Sequence, residues 1–265
     1  MWRLALVAQR IEHRPPEPCA QVRVLPRALL TEVFRSSTPA YVEANTCSFQ
    51  RIASLTVTHA FQASLLALGE PTLTELGPTV ERTYLSDGAW VDSRPSWVDG
   101  ADELFERLRS TIPWRAEQRP MYDRTVDVPR LVAMYGADDP LPSPLVQHAR
   151  TALSEHYSAE LGEPFRTVGC CLYRDGDDSV AWHGDRFGRG RRDDTMVAII
   201  VLGARRRFGL RPRATTGRTL WFKPGHGDLL VMGGSCQRTW EHAVPKSSRP
   251  TGPRLSLQFR PRNVF

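Results

Sequence analysis

The chain holds five cysteines in 265 residues, no C-x-x-C pair, and no apolar run approaching the roughly 20 residues that a membrane-spanning helix needs. Each shortage excludes something. Cys19, Cys47, Cys170, Cys171 and Cys236 are odd in number, and the adjacent Cys170 and Cys171 are poorly placed to bridge within one strand. This speaks against a disulfide-stapled secreted fold and fits reduced thiols in a cytoplasm. The stretch Leu4-Ala5-Leu6-Val7-Ala8 is too short and too badly flanked for a secretory signal. There is no internal repeat. The expectation is a soluble cytoplasmic protein without a membrane segment.

What is present is a hydrophobic content of 41%, enough for one domain of about 200 residues with a core, plus extra sequence at an end. Lys and Arg total 35 against 29 acids, a balance that suits an anionic partner such as nucleic acid but is shared by many soluble proteins. Residues 1–64 mix Arg, Pro and Ser with isolated apolar residues and keep no sustained period, so little fixed structure is expected there. The segment 7–20 also resembles the conceptual translation of a transfer-RNA gene, which would put the true start codon downstream. The other reading is a basic arm that binds nucleic acid.

Beyond Tyr84 the patterning becomes globular. A helix is predicted to start near Asp99, with acids in its first turn, Leu104, Leu108 and Ile112 at helical spacing, and Pro113 at its end. Another runs from Ser143-Pro144 to Gly162 with the stripe Leu145, Val146, Ala149, Ala152, Leu153 and Tyr157. From Phe165 onward, short runs of Val, Ile, Leu and aromatics between turn signals predict strands at 166–173, 196–202, 207–211, 219–222, 228–232 and 254–260. Helices first and strands afterwards give an α+β jelly roll backed by helices.

His183 and Asp185 are separated by one residue, so on an extended segment both side chains face the same way and can chelate one ion. His242 comes 57 positions after Asp185 and joins them only if a β-sandwich folds back on itself. Two imidazoles and one carboxylate on one face of octahedral Fe(II) leave three positions for a chelating co-substrate and O2. H-x-D alone arises often by chance, and its weight here comes from the strands and turns around it. In the last predicted strand Arg254, Ser256, Gln258 and Arg260 alternate with Leu255, Leu257 and Phe259. Arginines on that polar face can pair bidentately with a short dicarboxylate. A solvent-facing edge strand would show the same alternation.

Several strings occur in a fixed order. They are Leu172-Tyr173-Arg174-Asp175-Gly176, His183-Gly184-Asp185, Val201-Leu202-Gly203-Ala204 with Arg207-Phe208, Gly227-Asp228-Leu229-Leu230-Val231-Met232, Trp240-Glu241-His242-Ala243-Val244-Pro245, and the R-x-x-x-x-x-R ending at Arg260. Together, from Tyr84 to the C-terminus, they resemble the AlkB family of Fe(II)- and 2-oxoglutarate-dependent dioxygenases. The resemblance implies a double-stranded β-helix (jelly-roll) core over residues 65–265, with supporting helices and an N-terminal nucleotide-recognition lid. It implies Fe(II) on His183, Asp185 and His242, and 2-oxoglutarate held by Arg254 and Arg260, with Tyr173 and Ser256 beside it. It also implies a monomer that demethylates 1-methyladenine-type or 3-methylcytosine-type bases in single-stranded DNA or RNA, consuming O2 and releasing succinate, CO2 and formaldehyde.

The chain departs from the family pattern at four places. Ser256 and Gln258 stand where the family has Asn and Thr, Cys171 where Asn precedes the tyrosine by two, and Phe187 where an acid follows the iron-binding Asp. Residues 127–136 resemble the lid, so Arg130 and Tyr135, with Tyr122 just ahead and Phe187 near the metal, are the expected substrate contacts. Either tyrosine would stack on an extruded base or would be a half-buried residue capping the backbone. Arginines crowd 186–192 and 205–213, as a phosphate-tracking rim or as solvated loops. Two alternatives remain open. One is a dioxygenase acting on a protein, lipid or small molecule, and the other an inactive nucleic-acid-binding module.

Overall fold

The computed structural model describes residues 69–121, 124–185, 192–214, 217–262 and 264, with the side chains of 119–121 and 124–126 left aside. The expectations for residues 1–64, Tyr122, 186–191 and Phe187 lie outside the described residues. All described residues belong to one unit, Thr56–Phe265.

The chain opens with β1 (Thr72–Leu73), β2 (Glu81–Tyr84), β3 (Ala89–Arg94) and β4 (Val98–Asp99), then helix α1 (Ala101–Thr111) and the paired strands β5 (Arg115–Met121) and β6 (Arg124–Tyr135). Helices α2 (Pro144–His156) and α3 (Ser158–Leu161) lead to β7 (Thr167–Tyr173), β8 (Val180–His183), β9 (Val197–Gly203), β10 (Phe208–Pro212), β11 (Leu220–Phe222) and β12 (Asp228–Gly234). Helix α4 (Cys236–Thr239) separates these from β13 (Trp240–Val244) and β14 (Arg254–Arg260).

Helix starts follow their local chemistry. Ser143 Oγ accepts the Leu145 N–H at 3.2 Å, and Pro144 occupies the first helical position. At α1 the cap is Gly100, in the left-handed region at φ 66°, its N–H donated to Asp99 Oδ1 at 3.0 Å. The single helix expected over 144–162 is two: the chain breaks at Tyr157 (φ −98°, ψ 13°), whose buried hydroxyl donates to Asp92 Oδ2 at 3.0 Å.

A major antiparallel sheet has the order β2-β3-β12-β9-β14-β7-β6-β5, and a minor one the order β11-β10-β13-β8. Strict period-two parity sorts the major sheet's side chains. Ala198, Ile200 and Leu202 of β9 and Leu255, Leu257 and Phe259 of β14 pack in one cluster with Leu104, Phe105 and Leu108 of α1 and Val146, Ala149 and Leu153 of α2. Their neighbours Val197, Ile199 and Val201 pack instead with Phe208 and Leu210 of β10 and Trp240 and Val244 of β13. The central strands are thus covered on both faces, which is why 197–203 reads as an unbroken apolar run. The layers are helices, major sheet and minor sheet, as a jelly-roll core requires.

Strands do not wait for the helices, however. Six of them precede α2, including β5, the edge strand of the sheet, and its neighbour β6. The segment expected to be a lid is largely β6, paired with β5 on one side and β7 on the other.

Gly203 ends β9 at φ +81°, where an added Cβ would strike the Pro253 carbonyl oxygen and come 2.9 Å from the Phe105 ring. Gly203→Ala is expected to cost about 2–4 kcal/mol, from left-handed strain plus displaced backbone, read as a lower urea midpoint.

Candidate functional site

β13 and β8 are antiparallel neighbours, and their register sets His242 directly opposite His183. The two ring centroids are 4.2 Å apart. β8 stops at His183, and Gly184 lets the chain pass its neighbours closely: a Cβ there would lie 2.6 Å from Gln237 O and 3.2 Å from Trp240 O. The Asp185 N–H is then donated to Gln237 Oε1 at 3.0 Å, fixing the carboxylate in the interior. His183, Asp185 and His242 each offer one ligand atom within 4.8 Å of the others.

Their protonation suits a cation. His183 Nδ1 lies 2.9 Å from Ala181 O, and donation along that contact leaves Nε2, 3.5 Å from Asp185 Oδ1, with its lone pair free. Burial first, and then the adjacent His183, push the His242 pKa down to about 3, so its imidazole is neutral near pH 7. Burial works to raise the Asp185 pKa, but Arg260 and the two histidines outweigh it and hold the carboxyl well below the usual range. An anionic carboxylate and nitrogen donors on one face fit a divalent transition metal such as Fe(II).

β14 lies between β7 and β9, so its polar face looks into the space between the sheets and not into solvent. Arg254 and Ser256 are 1% exposed and Arg260 8%, which excludes the edge-strand reading. The two arginines occupy unequal positions. Arg260 donates from Nε and Nη2 to Asp185 Oδ2, at 2.9 and 2.8 Å, and from Nη2 to Gln258 Oε1 at 3.1 Å. Arg254, by contrast, has Nε and Nη1 buried with no hydrogen-bond partner. Burial lowers its pKa, opposed by Tyr173. The Tyr173 ring lies 5.0 Å from its guanidinium carbon, and burial pushes that phenol up to about 12, so it stays a donor.

Around these groups the structure gathers Arg130, Cys171, Ser256 and Gln258. Arg130 Nη1 donates to Ser179 O at 3.2 Å while its Nε is buried without a partner. Gln258 Nε2 donates to Ser256 Oγ at 2.9 Å and contacts Cys171 Sγ at 3.4 Å, so three of the positions that depart from the family pattern form one small network.

Tyr135 lies on the other face of β6 from Arg130. Strand parity sends Leu131, Ala133 and Tyr135 of β6 to the helix-side core, while Arg130 and Val132 point the other way. Tyr135 therefore packs on the core and is not brought to the pocket. Met134, on the opposite face of β6, lies near Gly169: a Cβ built there would be 2.7 Å from Arg260 Nη1 and 3.1 Å from Met134 Sδ, and Met134 is 52% exposed. The signal was available, since Met134 shares the parity of Arg130, and a glycine inside β7 marks a close approach. Phe208, also missed, stacks on His242 at 5.6 Å and 18°.

A sequence profile of the 2OG-Fe(II) oxygenase superfamily matches residues 97–260. The alpha-ketoglutarate-dependent dioxygenase alkB homolog 3 of Bos taurus is 33% identical over 187 residues, covering 63% of this chain and 64% of the relative. Its Homo sapiens counterpart is 32% identical with the same coverage. The Homo sapiens DNA oxidative demethylase ALKBH2 is 26% identical over 182 residues, covering 60% of this chain and 68% of the relative. The chain thus spans about 64% of the length of the alkB homolog 3 relatives. With a profile match that takes in the metal cluster, both faces of the pocket and the closing strand, the chain belongs to the 2OG-Fe(II) oxygenase superfamily.

Proposed function

We propose that the protein is an Fe(II)- and 2-oxoglutarate-dependent dioxygenase that removes N-methyl groups from bases of single-stranded DNA or RNA, acting as a monomer in the cytoplasm. The observation that carries the chemistry is one pocket with the cluster His183, Asp185 and His242 at one end and, at the other, the buried guanidinium of Arg254, whose Nε and Nη1 have no hydrogen-bond partner. The nucleic-acid substrate is supported by the alkB-type names of the relatives, ALKBH2 being named a DNA oxidative demethylase. The three cysteines among the described residues are free and buried. No helix of the described residues is long and apolar enough to cross a membrane.

In this reading His183, Asp185 and His242 hold Fe(II). Arg254 and the Tyr173 hydroxyl take the far carboxylate of 2-oxoglutarate, with Ser256 beside them. Arg260 serves as a positioning residue, fixing Asp185 Oδ2 so that Oδ1 remains for the metal. When bound, Fe(II), O2 and 2-oxoglutarate supply the oxidation of an N-methyl to an N-hydroxymethyl group, which departs as formaldehyde while the co-substrate ends as succinate and CO2. The apolar lining from Ile199, Phe208 and Val244 limits water around the reacting carbon. Substrate contacts come from Arg130 and Met134, with Tyr122 and Phe187 on adjoining segments, and the hairpin of β5 and β6 serves as the recognition lid.

The test is succinate and formaldehyde release from methylated DNA, RNA and peptide panels, with Asp185→Ala as the blank. Formaldehyde from 1-methyladenine or 3-methylcytosine oligonucleotides above that blank is the expected result. Release from peptides alone, or from nothing, overturns the reading.

A further inference from the structure

A second cavity lies on the outer side of the minor sheet, between β10, β11 and the loop that joins β13 to β14. Its lining contains six cationic side chains and no carboxylate. One of the six, Arg206, is buried and committed to structure: it donates to the carbonyls of Asp175 (2.7 Å), Asp178 (2.9 Å) and Pro245 (2.7 Å) and so fixes the loop that forms the cavity wall. The other five, Arg205, Arg207, Lys223, Lys246 and Arg249, are exposed. The whole chain has two lysines, Lys223 and Lys246, and both line this groove.

An aromatic floor adjoins the charges. On β10 the inward residues Phe208 and Leu210 belong to the core between the sheets, so Arg207, Gly209 and Arg211 face outward. Trp221 of β11 and Trp182 of β8 close over Gly209, where an added Cβ would come within 2.7 and 2.6 Å of the two rings. The indoles meet edge to face at 6.1 Å, with Arg207 over Trp221 at 3.9 Å and Arg211 over Trp182 at 4.4 Å. Trp221 nonetheless keeps 41% of its surface exposed.

We propose that this groove binds the unmodified single-stranded nucleic acid flanking the base held at the metal pocket, as a site separate from the lesion pocket. Unopposed cations track a phosphate backbone, and exposed indole and stacked guanidinium planes accept bases whatever their sequence. An acidic peptide would satisfy the charges but has no use for the stacked planes, which is why nucleic acid is favoured. The two sites are close in sequence. Phe208 and Val244 face the metal pocket where the adjoining Arg207 and Pro245 face the groove. The inference rests on the nucleic-acid reading of the function, but its readouts are binding and protection, so a failure of demethylation and a failure of the groove are separately visible.

The experiment uses the full chain and an unmodified single-stranded oligonucleotide. Acetylation of Lys223 and Lys246, followed by mass spectrometry, is expected to slow severalfold when the oligonucleotide is present. By fluorescence anisotropy, Trp221→Ala should weaken binding roughly five- to hundredfold, the cost of losing a stacked base. Lys223→Glu with Arg249→Glu should weaken it further and reduce the slope of log affinity on log salt by about 0.7 for each phosphate no longer neutralised. Unprotected lysines, unchanged affinity in both variants, or equal protection by a polyglutamate peptide at matched charge overturns the proposal.

Discussion

Arg254→Met is expected to raise the stability of the ligand-free protein while removing its use of 2-oxoglutarate. The side chain is 1% exposed, and Nε and Nη1 find no acceptor in a space walled by Tyr173, Val244 and the strands of both sheets. A buried donor without a partner costs about 1–3 kcal/mol, more when charged, and Met fills similar volume without that cost. A gain of this size raises the melting temperature by about 2–4 °C per kcal/mol for a domain of this length. With co-substrate the sign reverses. A guanidinium and carboxylate paired out of water are worth about 2–5 kcal/mol, so the variant should lose roughly 10²- to 10³-fold in kcat/KM for 2-oxoglutarate. Its melting temperature should also stop responding to added 2-oxoglutarate, whereas that of the parent rises. Arg254→Lys should fall between, keeping the charge without the planar fork. A variant that is less stable and still responds to 2-oxoglutarate would move the carboxylate site elsewhere, with Arg130 the nearest candidate.

Much of this pocket could be read from the chain because β-strands write their faces into the sequence at period two. The alternation of 254–260 separates Leu255, Leu257 and Phe259 from the polar residues without any knowledge of the fold. Alternation does not say whether the polar face meets water or another sheet; β14 is a central strand, and only its partners β7 and β9 decide that. The same gap explains Tyr135. The family-like string 127–136 contains the tyrosine, but the pairing of Tyr135 with Val168 and of Leu131 with Leu172 puts both on the helix side, and Arg130 is the residue of β6 that lines the pocket. β5 was hidden for a different reason: an edge strand of the sequence Arg115-Ala-Glu-Gln-Arg-Pro-Met121 lacks the apolar alternation that marks a half-buried strand. The unequal standing of Arg254 and Arg260 has no sequence signature at all. It arises because the chain beyond β8 swings Asp185 toward the end of β14, a tertiary contact across 75 positions.

That contact makes Asp185→Ala the second large effect, and one that divides into separable parts. Asp185 Oδ2 takes two hydrogen bonds from Arg260, and both side chains are at most 10% exposed. Removing the carboxylate deletes one of three metal ligands and also strands a buried guanidinium, a change that costs about 3–5 kcal/mol. The expected result is a ligand-free protein that melts roughly 6–20 °C lower, binds no Fe(II) by spectroscopic titration with Co(II) as surrogate, and releases no formaldehyde. The double variant Asp185→Leu with Arg260→Met removes both charges together, and it should recover most of the lost stability while remaining inactive, because hydrophobic replacement of a buried pair is close to neutral. Arg260→Met alone then separates positioning from co-substrate binding. If Arg260 acts through Asp185, the variant weakens metal affinity roughly 10- to 100-fold, the usual cost of losing a group that orients a ligand. If it anchors 2-oxoglutarate instead, metal affinity holds and the loss falls on KM for the co-substrate. The two short hydrogen bonds to Oδ2 favour the first outcome, since a guanidinium already paired with the metal's carboxylate has fewer donors left for a second anion.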